Sequence, residues 1–96
     1  MSDYFEAVIQ LRPAREDVVL LVHQLVEQRK DVFIAKEVPV STGLDIYISS
    51  QRYARSLGQQ LKRRFKGTLI ITKKLYGVNR LTSKQVYRGT VLFRLL

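Results

Sequence analysis

The chain has 96 residues, no cysteine, and 17 Lys and Arg against 8 Asp and Glu, for a net charge of +9. That length suits one domain, 1–96, around one modest core, and ordinary apolar content argues against disorder. The missing cysteines exclude disulfides, thiolate metal sites and cysteine nucleophiles together, and they suit a reducing, cytoplasmic compartment.

The opening MSDYFEAVIQ has neither the basic region nor the apolar run of a signal peptide. Residues 4–12 alternate, with Phe5, Ala7, Ile9 and Leu11 on one face and Glu6, Gln10 and Arg12 on the other. That pattern predicts a half-buried strand. Pro13 ends it and can open a helix at its first turn. Over 14–30, Val18, Leu21, Val22 and Leu25 recur at helical spacing, with Glu16 and Asp17 at the start and Arg29 and Lys30 at the end, as the helix dipole favours. The apolar stretch within it, 18–22, is too short to span a bilayer. Residues 32–38 read as a second strand. Pro39 and Ser41-Thr42-Gly43 read as a turn, and 44–48 alternate again with Leu44, Ile46 and Ile48 inward.

Ser49 and Ser50 are good caps for a helix from 51 to about 65. Its narrow apolar stripe is Ala54, Leu57, Gly58, Leu61 and Phe65, and Arg52, Arg55, Gln59, Lys62, Arg63 and Lys66 share the far side. Gly67 would end it in the usual C-terminal manner. A β-rich run over 68–76, a loop over 77–83 and a long strand over 84–95 complete the chain.

The order β-α-β-β-α-β-β starts with the six elements of a ferredoxin-like, split βαβ fold, of α+β class. Right-handed crossovers place strand one between strands three and four. A terminal hairpin then predicts the antiparallel-rich order 5-4-1-3-2, with both helices on one face. The open face would carry Glu6, Val8, Gln10, Tyr47, Arg88, Thr90 and Arg94, either solvated or as an RNA platform.

Charge is distributed unevenly. Residues 1–50 hold all eight acids and five of the bases. Residues 51–96 hold twelve bases and no acid: Arg52, Arg55, Lys62, Arg63, Arg64, Lys66, Lys73, Lys74, Arg80, Lys84, Arg88 and Arg94. Such a field repels itself, and a polyanion relieves it; nucleic acid is the usual one and an anionic membrane the second. A charged helix face is ordinarily just solvated, but no acid stands three or four residues from these bases to form the usual neutralising pairs. Phosphate binding is therefore expected of Arg52, Arg55, Lys62, Arg63 and Lys66, since the guanidinium fork matches phosphate oxygens. Lys73, Lys74, Arg88 and Arg94 on the strands are candidates too. So are Arg80 and Lys84, in a loop that either reaches RNA grooves or is a plain surface hairpin. Tyr76 and Tyr87 could stack on bases, although strand tyrosines more often pack.

His23, the lone histidine, is expected at the surface with no metal set around it. Leu20 is expected to be exposed. No P-loop and no G-x-S-x-G is present, so no enzyme, no cofactor and no small-molecule substrate are expected. The narrow, core-facing apolar stripe of the second helix argues against membrane binding. The RNP motif is absent as well.

The run 43–55, GLDIYISSQRYAR, with VIQLR at 8–12 and KQVYRGTV at 84–91, resembles the central mixed α/β domain of the export adaptor family of the large ribosomal subunit. The resemblance covers nearly the whole chain in order. It implies binding at the subunit-joining side, around the tRNA exit region, with large-subunit rRNA and neighbouring ribosomal proteins as partners. The family's cysteine-rich zinc ribbons have no counterpart here, so zinc binding and export do not carry over. The expectation is a stand-alone, archaeal-type ribosomal protein, a constituent of or stably bound to the large subunit. The alternatives are a transient assembly or anti-association factor on the same surface and, from another class, a small enzyme on a ferredoxin-like fold.

Overall fold

A computed structural model describes residues 4–78, 81 and 85–96. The elements are β1 (Ala7–Arg12), α1 (Glu16–Glu27), β2 (Ile34–Val40), β3 (Gly43–Ile48), α2 (Gln51–Arg64), β4 (Gly67–Val78) and β5 (Gln85–Leu95). They form a five-stranded mixed sheet with both helices on one face, a ferredoxin-like arrangement with one strand added. No helix among the described residues is long and apolar enough to cross a membrane.

The strand alternation sorts as expected. Ala7, Ile9 and Leu11 of β1, Ile46 and Ile48 of β3, and Val91 and Phe93 of β5 point into a single core. Val18, Val22, Leu25 and Val26 of α1 and Ala54, Leu57 and Leu61 of α2 close it from the other side.

The strand order corrects the expected 5-4-1-3-2. The sheet runs β2-β3-β1-β5-β4, so the last two strands exchange places. β5 pairs in parallel with β1, Ala7 opposite Gly89 and Leu11 opposite Phe93, and antiparallel with β4. The crossover through α2 passes over β1 and lands one strand further out, and the hairpin then returns β5 into the gap. Side-chain character explains the choice. Val91 and Phe93 are each 1 % exposed, whereas their partners on the same side of β4, Leu69 and Ile71, are half-buried and 38 % exposed, with Lys73 next along that side. The strand with the better apolar face takes the centre, and the lysine-bearing strand takes the edge, where charge discourages further pairing.

Smaller departures have local causes. α1 starts at Glu16, after Arg15 in extended conformation, rather than at 13–14. Pro39 lies within β2, opposite Leu44, because β2 is an edge strand and its missing N–H costs no ladder bond. Gly67 opens β4, and none of the described glycines has a positive φ, so it is not a left-handed cap. Its lack of a side chain matters instead because a Cβ there would lie 2.6 Å from the Arg94 carbonyl oxygen and 2.7 Å from the Phe93 ring.

A bend at Glu6 breaks the expected alternation ahead of β1. Phe5 rolls onto the open face against Tyr47, ring centroids 4.9 Å apart and edge to face. Glu6, expected on that open face, turns the other way, and its Oε1 accepts a 2.9 Å hydrogen bond from the Gln51 amide at the start of α2.

Candidate nucleic-acid interface

α2 positions the main group of cations. The Ser50 hydroxyl accepts from the Tyr53 amide at 3.1 Å and caps the helix. Ala54, Leu57, Gly58 and Leu61 are buried on its inner stripe. The 3.6-residue period then turns Arg52, Arg55, Lys62 and Arg63 outward, and Arg64, on the flank of the inner stripe in the last turn, is exposed as well. Lys66, just beyond the helix, is exposed too. Arg64 was not singled out by the helical stripe; its exposure and its acid-free surroundings are the signals that add it.

The two ends of α2 differ electrostatically. Lys62, Arg63 and Arg64 sit in the last turn, where the dipole favours cations. Arg52 and Arg55 sit near the amino end, where it does not, and the first turn contains no acid of its own. Glu6 supplies one carboxylate there from outside the helix. Two arginines at the positive end of a helix work against local stability and in favour of an approaching anion. Beside them, Arg55, Gln51, Lys73, Thr72 and Gly89 line a cleft of about 290 Å³ between α2 and β4. Lys73 thus joins the helix-side group, and its ammonium also lies 4.6 Å from the Tyr87 ring centroid.

The remaining described strand candidates are on the opposite side of the sheet. Lys74 and Arg88 are cross-strand partners, and Arg94 lies opposite Arg12 in the β1–β5 pair. Strand alternation puts all of them on the open face with Val8, Tyr47 and Thr90. The acid-free half of the chain is therefore divided between two faces. Arg80 and Lys84 lie outside the described residues, as does the side chain of Tyr76.

Ion pairing follows the same division. Arg12–Asp45, Arg15–Asp17, His23–Glu37 and Arg29–Asp31, the pairs among the described residues, all join residues of the first half. The Arg15 guanidinium holds the Asp17 carboxyl below the usual carboxylate range, and Arg29 does the same for Asp31. The acids are thus largely engaged where they stand, and those pairs leave α2 and β4 to their own positive field. His23 lies at the surface, partly covered, and its Nε2 is within hydrogen-bond distance of the Glu37 carboxylate. Leu20 is 54 % exposed, as expected.

Sequence reasoning placed Tyr47 and Arg88 on the open face but missed Lys36 and Phe5, which join them there. Lys36 lies with its ammonium 4.5 Å from the Tyr47 ring centroid, and the Arg88 guanidinium lies 4.2 Å from that of Phe5. Only the bend at Glu6, which period-two counting cannot register, brings Phe5 there.

Residues 4–95 match the family model described as NMD3, second domain. A comparison with curated proteins finds no match.

Proposed function

The chain belongs to the NMD3 family of large-subunit export adaptors, matching its second domain, and from that premise we propose that it binds the RNA of the large ribosomal subunit as one ribosome-binding unit. The observation that carries this reading is the outer face of α2, where exposed Arg52, Arg55, Lys62 and Arg63 stand, with Arg64 on its flank and no acid in the helix. Lys66 and Lys73 extend that surface, and Arg80 and Lys84, in the loop read from the sequence, are further candidates for RNA contact. Lys74, Arg88 and Arg94 are assigned to a second RNA-facing surface on the open sheet.

The mechanism is phosphate neutralisation with displacement of condensed counterions. Arginine forks fix register on the ribose-phosphate backbone, and little sequence is read through them. Folded rRNA suits such a surface because its helices are recognised through phosphates and 2′-hydroxyls rather than through a deep major groove. Neighbouring ribosomal proteins would complete the site. No small-molecule chemistry is assigned to the chain.

The test is charge reversal of Arg52, Arg55 and Lys62 to Glu, all three exposed. The circular-dichroism spectrum should stay that of the parent, and cosedimentation with large subunits should disappear. Cosedimentation equal to the parent's would reduce the helix face to a solvated one.

A further inference from the structure

The open face of the sheet has the makings of a second kind of RNA contact. A strip of mixed character, Val38, Asp45, Gln10, Leu92 and Ile70, crosses it from edge to edge, and its apolar ends are uncovered, Val38 37 % and Ile70 48 % exposed. Beside that strip stand two half-buried rings, Phe5 and Tyr47, edge to face at 4.9 Å, with the Arg88 guanidinium over the Phe5 ring and the Lys36 ammonium over the Tyr47 ring. Lys74 and Arg94 are exposed on the same face. Among the described strand residues of this face Asp45 is the one acid, and Arg12 already holds it at 2.6 Å.

We infer that this face binds unpaired nucleotides, stacking bases on the Phe5–Tyr47 pair while Lys36 and Arg88 hold the adjoining phosphates. The inference rests on the RNA-binding reading and adds the class of RNA that this face accepts. Duplex RNA hides the faces of its bases, so aromatic rings gain nothing from it, whereas unstacked bases find in a ring a partner indifferent to sequence. Each cation lies over its ring, so a base that stacks there takes the cation's place, and the displaced Lys36 or Arg88 turns to the adjoining phosphate. A protein partner would have to be strongly acidic to sit among Lys36, Lys74, Arg88 and Arg94, and charge complementarity favours the ribose-phosphate chain. The two RNA surfaces lie on opposite faces, since α2 covers the far side of the sheet.

The test uses the whole chain and two fluorescent probes of equal length, a mixed-sequence single-stranded RNA and a blunt RNA duplex. Tyr47→Leu should weaken binding to the single strand by roughly tenfold, as expected for one lost stacking contact, and leave duplex binding unchanged. Tyr47→Trp, which keeps a ring, should restore it. Lys36→Gln, on the exposed edge strand and safe for folding, should weaken the single strand several-fold and flatten its salt dependence. Single-strand binding unaffected by both Tyr47→Leu and Lys36→Gln overturns the inference while leaving the α2 reading standing. Loss of subunit cosedimentation in Tyr47→Leu with unchanged oligonucleotide binding also overturns it, in favour of a protein on this face. A parent chain that binds neither probe in dilute buffer sinks the RNA reading and the inference together.

Discussion

Gly43 opens β3 at the start of the GLDIYIS run, and a Cβ there would fall 1.8 Å from the Leu11 carbonyl oxygen. No rotamer relieves a contact with backbone, so β1 and β3 can pair at this point only around a glycine. Gly43→Ala is expected to lower stability by about 1–3 kcal/mol or more through overpacking, measured by urea denaturation. An unchanged midpoint would mean that the two strands separate there at no cost. Ser50 poses a milder case. Its hydroxyl satisfies the Tyr53 amide, and Ser50→Ala should cost about 1 kcal/mol in the same assay. That cap was legible beforehand because a serine before an apolar-periodic run has one common use. The exchange of Phe5 and Glu6 across the sheet was not legible, since one bent residue reverses the side of everything ahead of it without altering composition.

Among the elements, α2 was the most readable, because burial and charge share one 3.6-residue period and each confirms the other. The terminal hairpin was the least. Residues 67–78 and 85–95 are both rich in β-formers, and a hairpin can present either strand to β1. What decides is the quality of the buried row, Val91 and Phe93 against the half-covered Leu69 and exposed Ile71. The contrast can be measured. Phe93→Ala should cost about 3–5 kcal/mol, as for a fully enclosed aromatic. Ile70→Ala, on the exposed edge strand, should stay within about 1 kcal/mol. Equal losses at the two positions would contradict the placement of β5 at the centre. Gly67 was misjudged for a related reason: a glycine after a helix usually signals a left-handed cap, while here it yields room to the Phe93 ring.

For the molecule as a whole, electrostatics was legible as a quantity but not as a map. Counting residues separates a basic half from an acidic one, yet the basic half wraps around both sides of the sheet, and only the strand register shows where each cation falls. On single-stranded RNA, about six phosphate contacts give a log–log slope of affinity against salt near −4, and removing three cations from α2 should reduce its magnitude by about 2. A slope unaffected by the α2 substitutions would move the electrostatic contact elsewhere. The extents of 43 × 25 × 25 Å fit an elongated body with β4 and β5 as its longest strands. Because β5 sits inside the sheet, residue 7 finds its partner in residue 89. A nascent chain whose residues 85–95 are still inside the exit tunnel has β1 bare along one edge and lacks Val91 and Phe93 from its core. Such non-local closure is slow and leaves aggregation-prone surface waiting. The sheet is therefore complete only once residues 85–95 have emerged, and a chaperone has reason to be at hand until they do.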